Sequence, residues 1–192
     1  MSFAKSKLWL VVLIFALAPL SLRAATIYTA TLLGSNEVPA NASTGTGFAT
    51  VSLSGDLLTV DEVFSGLTGG SASAAHIHCC SPIGMNAIVA VPFTSFPSAA
   101  SGTYSNIFDL TLTATYNSAF VTANGGTAAT AEAALIAGLN SFQSYANIHN
   151  TTFPGGEIRG QLELAPEPAT TGLLLLGLAS MIAMARRAPK RL

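Results

Sequence analysis

Basic residues are almost absent from the central part of this chain. The whole sequence has eight Lys and Arg residues against nine Asp and Glu residues, so its formal net charge is −1. All but one of the cations lie in the two ends, which leaves Arg159 as the single cation of residues 25–168. All nine acidic residues lie in this region, so one cation and nine anions give it a formal charge of −8. A region with one cation cannot neutralise a series of phosphates, and we exclude nucleic acid as a partner.

The sequence patterns of common catalytic sites are also missing. There is no Ser-His-Asp order, no glycine-rich phosphate loop and no pair of carboxylates in a motif context. Asp61 and Glu62 are adjacent, and neighbouring residues of a strand face opposite sides of a sheet. With three histidines, the chain cannot supply the two-metal site of a superoxide dismutase. We therefore predict that the protein is not an enzyme.

The N-terminal end has the pattern of a secretory signal peptide. Two lysines precede an apolar run over residues 8–20, and small residues follow at Ala24 and Ala25. This run is shorter than the ~20 residues that a membrane-spanning helix needs. We predict a signal peptide over residues 1–24, which signal peptidase removes.

The C-terminal end consists of a Pro-Glu-Pro tripeptide, an apolar run over residues 172–185 and a basic tip. As a helix with a rise of about 1.5 Å per residue, the run covers roughly 20 Å, less than the ~30 Å apolar core of a bilayer. This order of parts resembles the PEP-CTERM sorting signal of Gram-negative bacteria. The residues that carry the resemblance are Pro166, Glu167, Pro168, Arg186 and Arg187.

The resemblance implies a route for the protein. A short apolar helix within residues 169–192 would hold the exported chain transiently in the inner membrane, with the basic tip in the cytoplasm. An exosortase-type enzyme would then process the chain near the tripeptide and leave it at the cell surface or outside the cell. A plain C-terminal anchor is the alternative. We assign residues 165–192 to this sorting tail.

Residues 25–164 have the composition and patterning of short β-strands. Thr, Ser, Val and Ala alternate in short runs, and Gly, Pro, Ser and Asn separate these runs. Gly55-Asp56 predicts a hairpin turn, and residues 127–140 alone have helical propensity. We predict one antiparallel all-β domain, a β-sandwich of about seven to nine strands with one short helix near residues 129–139. The predicted strands cover residues 26–33, two runs in 47–63, 72–78, 87–93, 107–115, 145–149 and 157–164.

Two histidine-containing stretches resemble the CHRD domain, which is named from chordin and is common in exported bacterial proteins. They are "AHIH" at residues 75–78 and "YANIHNTTFPGGEIRGQL" at residues 145–162. The chain departs from the family pattern at Cys79-Cys80, where Gly-Pro is usual. The resemblance implies an all-β domain without assigned catalysis. Together with the sorting tail, this gives the first function hypothesis, an exported surface or extracellular-matrix protein that acts in adhesion or assembly, with extracellular polysaccharide as a candidate partner.

The same histidines support a second hypothesis, an exported metal-binding module. His76 and His78 are two residues apart, so on a strand they share one face. If His149 packs beside them, three imidazoles converge in a set that suits copper or zinc, and Glu157 or a thiolate could complete it. The alternative is that all three are structural residues that tie two strands together by hydrogen bonds.

Cys79 and Cys80 are adjacent in a chain predicted to be exported. Oxidising compartments favour disulfides, and a disulfide between these two neighbours would hold a tight turn. As reduced thiols beside His78 they would instead be soft ligands for copper(I). Bonds to another chain are the third alternative.

The segment before the last predicted strand carries a turn and a charged pair. Pro154 disfavours helix before it, and Gly155 and Gly156 can adopt positive φ, so we predict that they form the turn that launches the strand over residues 157–164. Alternation along this strand places Glu157 and Arg159 on one face. We predict that they form a structural ion pair.

Overall fold

The computed structural model describes residues 25–166 and 176–181, and within this part the strands form one antiparallel sheet. The strand order is β5-β4-β7-β8-β1-β2-β3-β6, and the short β9 pairs with β1 beside β8. The strands are β1 (Thr26–Leu33), β2 (Thr46–Ser54), β3 (Leu57–Ser65), β4 (Ala72–Cys79), β5 (Ile88–Pro92), β6 (Gly102–Asp109), β7 (Ser144–Asn150), β8 (Ile158–Gln161) and β9 (Glu163–Leu164).

The all-β antiparallel class predicted from the sequence is confirmed, and the sheet curls into a half-barrel. A sandwich would divide the strands between two sheets. Here β1 joins the strands from β5 to β8 to those from β2 to β6, so all of them belong to one sheet. β1 pairs with β2 along its whole length and with β8 and β9 at its other edge. The hydrogen bonding is therefore continuous from β5 to β6.

Most strand positions follow the polar and apolar alternation of the sequence. The hairpin between β2 and β3 turns at Gly55, which has a φ of +59°. The strand predicted over residues 107–115 is misplaced, since β6 ends at Asp109. The Asp109 carboxylate accepts hydrogen bonds from the N–H and the hydroxyl of Thr111, at 2.9 and 2.6 Å. This local turn ends the strand despite the threonine-rich sequence that follows.

Two α-helices follow β6, where the sequence predicts one. The predicted helix is α2 (Ala128–Asn140), which begins at a capping box formed by Thr127 and Thr130. The additional helix, α1 (Ser118–Ala123), is capped by the side chain of Asn117. At six residues it is too short to show a helical repeat in the sequence.

The core lies between one face of the sheet and the helices. Along β3 the buried residues are every second one, and Leu58, Val60 and Phe64 belong to the core. Leu135 and Leu139 of α2 are fully buried in the same core. We call this side of the sheet the core face and the opposite side the outer face.

The two predicted targeting segments fall mainly beyond the described part of the chain. The signal peptide over residues 1–24 lies outside it, as do Glu167, Pro168, Arg186 and Arg187 of the sorting tail. Within the tail, residues 176–181 are helical. No helix in residues 25–166 and 176–181 is both long and apolar enough to cross a membrane.

Candidate metal site

The pairing of β4 with β7 brings the three histidines together. In this antiparallel register Ala74 lies opposite His149, and His76 lies opposite Asn147. Residues directly opposite one another in a sheet point to the same side, as do residues two apart along a strand. His76, His78 and His149 therefore all project from the outer face.

The three imidazoles are close enough to share one ion. One nitrogen from each histidine lies within 4.8 Å of the other two. The ring centroids of His76 and His149 are 5.0 Å apart, and those of His76 and His78 are 5.5 Å apart. The convergence of three imidazoles that the metal hypothesis requires is therefore present.

Two of the rings are oriented by backbone carbonyl groups. Nδ1 of His78 lies 2.8 Å from the carbonyl oxygen of Ala87, and Nδ1 of His149 lies 3.0 Å from that of Pro154. A carbonyl only accepts, so each Nδ1 carries the proton and donates it. Each Nε2 is then an acceptor with a free lone pair. Metal-binding histidines are held in this way, with the second nitrogen hydrogen-bonded to a fixed acceptor.

The free nitrogens are buried and lack partners. Among the described residues, Nε2 of His78, Nε2 of His149 and Nδ1 of His76 are buried without a hydrogen-bond partner. Oδ1 of Asn147 and Oε1 of Glu37 share this property. Both oxygens lie close to Gly156, where an added Cβ would be 2.7 Å from the first and 2.5 Å from the second. Five unpartnered buried atoms thus lie on or beside one stretch of the outer face.

The electrostatics keep the imidazoles neutral. Burial, reinforced by the neighbouring histidines, lowers the pKa of His76 to about 4. Burial also lowers the pKa of His78 to about 4, against the opposing effect of its hydrogen bond to Ala87, and it lowers the pKa of His149. Near pH 7 all three rings therefore present lone pairs rather than positive charges.

Two further side chains enclose the site on the side of β8. The ring of Tyr145 stacks on that of His78, with centroids 4.7 Å apart. The guanidinium carbon of Arg159 lies 4.5 Å from the centroid of the Tyr145 ring. Nearby, the buried Glu37 has a pKa raised to about 7 by burial, although the charge of Arg159 opposes this rise.

The structure gives Arg159 and Glu157 separate partners in place of the predicted ion pair. Arg159 donates through Nε to the carbonyl oxygen of Asn36 at 2.6 Å and through Nη1 to Oδ1 of Asn86 at 2.9 Å. Glu157 is fully buried and accepts hydrogen bonds from residues of three other segments. Strand alternation does not apply to Glu157, because β8 begins only at Ile158. The groups that donate to Glu157 are the hydroxyls of Ser43 and Thr68, the N–H groups of Thr68 and Gly69, and the Asn150 amide.

Cys79 and Cys80 are joined by a disulfide, the first of the three alternatives considered above. Cys79 is buried in the core, on the side of the sheet opposite to His78. The Cys80 sulfur lies 3.4 Å from the carbonyl oxygen of Ala134 in α2. Disulfide sulfurs have no thiolate charge to offer a metal, so the site consists of imidazoles without cysteine.

Sequence reasoning missed several residues of this site. Asn147 lies two positions before His149, and this spacing was the available signal that they share a face. Glu37 had no such signal, since it lies in an irregular loop and reaches the site only through the fold. The Ala87 and Pro154 carbonyls are backbone groups that no sequence pattern marks.

Comparison with protein families agrees with both parts of the chain. The CHRD domain matches residues 28–162, and the PEP-CTERM protein-sorting motif matches residues 164–191. The second match marks an exported protein that an exosortase-type system of Gram-negative bacteria sorts to the cell surface. No curated protein and no solved structure gives a significant match. Because the first match covers more than two thirds of its length, the chain belongs to the CHRD domain family.

Proposed function

We propose that the CHRD domain of this exported protein is a non-enzymatic module that binds one copper or zinc ion through His76, His78 and His149. The observation that carries the proposal is the convergence of three imidazoles, one nitrogen of each lying within 4.8 Å of the other two. Each ring also has a buried nitrogen that finds no hydrogen-bond partner among the described residues. A buried polar atom without a partner costs about 1–3 kcal/mol. One cation would satisfy all three at once.

The chemistry of the donor set fits these two metals. Neutral imidazole suits copper and zinc, and three histidines leave a fourth position for another ligand. Metal–nitrogen bonds of about 2 Å in tetrahedral geometry require nitrogens roughly 3.3 Å apart. Because the nitrogens lie within 4.8 Å of one another, they would need to approach by at most about 1.5 Å to bind one ion. Asn147, which lies opposite His76, would place an amide dipole beside the ion, and Glu37 lies close to Asn147 at Gly156.

Zinc binding by the full-length chain, purified in detergent and stripped of metal, tests this proposal. We expect one zinc per chain by elemental analysis. At a free zinc concentration of about 100 times Kd, the free energy of unfolding rises by about 2.7 kcal/mol, which is measurable as a higher melting temperature. His149→Ala removes one ligand, and we expect its affinity to fall by more than the 10–100-fold typical of outer-shell changes.

The matched control is Asp56→Asn, a change in the exposed turn between β2 and β3 that should leave zinc binding unchanged. Copper is tested in parallel. If the wild-type chain takes up neither metal, or its melting temperature does not respond to either, the metal proposal is wrong. Equal zinc affinity in His149→Ala and the wild type would also overturn it.

We further propose that the module works in adhesion or assembly at the cell surface or in the extracellular matrix. The match to the sorting motif supports delivery to the surface. In this proposal, signal peptidase removes residues 1–24, and the apolar part of the tail then anchors the chain transiently in the inner membrane until an exosortase-type enzyme cuts near Pro166.

Mass spectrometry of the protein recovered outside the native host's cells tests this route. We expect an N-terminus near Ala25 and a C-terminus near the Pro-Glu-Pro tripeptide, because the sorting enzyme removes the apolar run and the basic tip. Deleting the basic tip should lower the processed fraction, since its charges hold that end in the cytoplasm. Recovery of extracellular protein that still ends at Leu192 would contradict processing.

A further inference from the structure

A groove of about 510 Å³ lies on the outer face beside the histidine site. It runs over β1 and β8, whereas the histidines belong to β4 and β7. The loop at Ile83 and Gly84 borders it, as does Phe48 of β2. Its volume falls within the ~300–1,000 Å³ typical of ligand pockets. The groove therefore has room for a second ligand, separate from a metal ion at the histidines.

Phe48 gives the groove an aromatic surface. Its side chain is 45% exposed, and it lies opposite Thr31 in the register of β1 and β2. Thr29 lines the groove two positions along the same face of β1. An exposed phenyl ring beside hydroxyl groups can contact an apolar face of a ligand while the hydroxyls hydrogen-bond to its polar edge.

Two amide side chains in the groove are held in place by hydrogen bonds from their nitrogens, which leaves their carbonyl oxygens available as acceptors. Asn36 donates through Nδ2 to the carbonyl oxygens of Thr31 and Arg159, at 3.2 and 3.1 Å. Gln161 donates through Nε2 to the carbonyl oxygens of Phe142 and Ser144, at 2.6 and 2.8 Å. Each side-chain carbonyl can still accept a hydrogen bond. Acceptors fixed in advance lower the entropy cost of binding a hydroxyl-rich ligand.

The charges of the groove favour a neutral ligand. Arg159 and Glu163 both line it, so its own formal charge is balanced. The surrounding region carries a formal charge of −8, which repels polyanions. The groove therefore suits a neutral ligand that has a flat apolar face and many hydroxyls. A hexose has these properties.

We infer that this groove binds a neutral hexose polymer, with one sugar ring stacked on Phe48 and its hydroxyls hydrogen-bonded to Asn36, Gln161 and Glu163. Export of the protein gives the groove access to polysaccharide outside the cell. The inference does not depend on the metal proposal, because no histidine contributes to the groove lining. It specifies the contact through which a surface protein of this kind would adhere.

Native affinity electrophoresis of the full-length chain tests the inference, with dextran and hydroxyethyl cellulose in the gel as neutral probes and alginate as an anionic probe. We expect at least one neutral polymer to retard the protein and alginate not to. Phe48→Ala should weaken the retarding interaction about 10-fold, equivalent to about 1.4 kcal/mol. Phe48→Trp should restore it, because a stacking surface is again present.

Ile107→Ala is the matched control, since Ile107 is also apolar, exposed (62%) and on the outer face, but lies on β6 away from the groove. It should bind like the wild type, and unchanged melting temperatures would show that both alanine variants fold. Absence of retardation by both neutral polymers overturns the inference. Stronger retardation by alginate, or equal losses in Phe48→Ala and Ile107→Ala, would also overturn it.

Discussion

Replacing Gly156 with valine is expected to lower the free energy of unfolding by about 2–6 kcal/mol. Gly156 has a φ of +129°, a conformation that costs other residues about 1–3 kcal/mol. An added Cβ would lie 2.5 Å from Oε1 of Glu37 and 2.7 Å from the amide atoms of Asn147. Overpacking of this kind costs a further 1–3 kcal/mol or so. Thermal unfolding followed by circular dichroism measures the effect, which we expect to be a melting temperature lower by roughly 10 °C.

Thr151→Val is the control for this prediction. It introduces the same side chain five residues away at an exposed position, where substitutions usually change stability by less than about 0.5 kcal/mol. Gly156→Ala provides a milder variant that keeps the measurement possible if valine prevents folding. Equal melting temperatures for Gly156→Ala, Thr151→Val and the wild type would show that this turn does not need glycine.

Raising the pH from 6.5 to 8 is expected to destabilise the protein by about 2 kcal/mol through Glu62. This residue is 3% exposed on the core face of β3, and within the described residues neither carboxylate oxygen has a partner. Burial raises its pKa to about 8. The folded state therefore binds more protons than the unfolded state between about pH 4.5 and 8, and stability falls as pH rises through this window. Each full pKa unit corresponds to about 1.4 kcal/mol. Urea unfolding at pH 6.5 and 8 measures the difference.

Other titratable groups also contribute to the pH dependence of stability. Glu37, with its pKa of about 7, acts in the same direction as Glu62. The histidines act in the opposite direction, because their lowered pKa values make stability fall as pH drops below about 6.5. Glu62→Gln removes the Glu62 contribution alone, so its pH dependence should be flatter than that of the wild type. An identical slope in Glu62→Gln and the wild type, or a wild type that gains stability toward pH 8, would contradict the assignment.

Sequence reasoning was most successful where a local pattern decides the structure. Alternation predicted β1 over its full length, and the Gly55-Asp56 pair predicted the hairpin between β2 and β3. It failed where a single polar contact overrides the pattern, as at the turn of Asp109 and Thr111 that ends β6. It also missed α1, which has too few residues for a periodic signal.

The candidate site also combines features that a local pattern predicts with features that depend on the fold. The two-residue spacing of His76 and His78 was enough to place them on one face of a strand. Their meeting with His149 depends on β4 and β7 being neighbours in a given register, although about seventy residues separate them in the chain. The contribution of Glu37 depends on a loop conformation. The predicted Glu157–Arg159 pair shows the converse, since strand alternation was applied to a residue that precedes the strand.

The sequence by itself determined the properties that depend on composition and on order along the chain. These are the β-strand patterning, the charge of −8 in residues 25–168, the CHRD motifs and the sorting signal that follows them. Only the tertiary structure decided that β1 joins the strands into one curled sheet, that three imidazoles converge on its outer face and that a polar groove forms beside them. The physical reason is that strand order and register arise from contacts between distant segments, and no local pattern encodes these contacts.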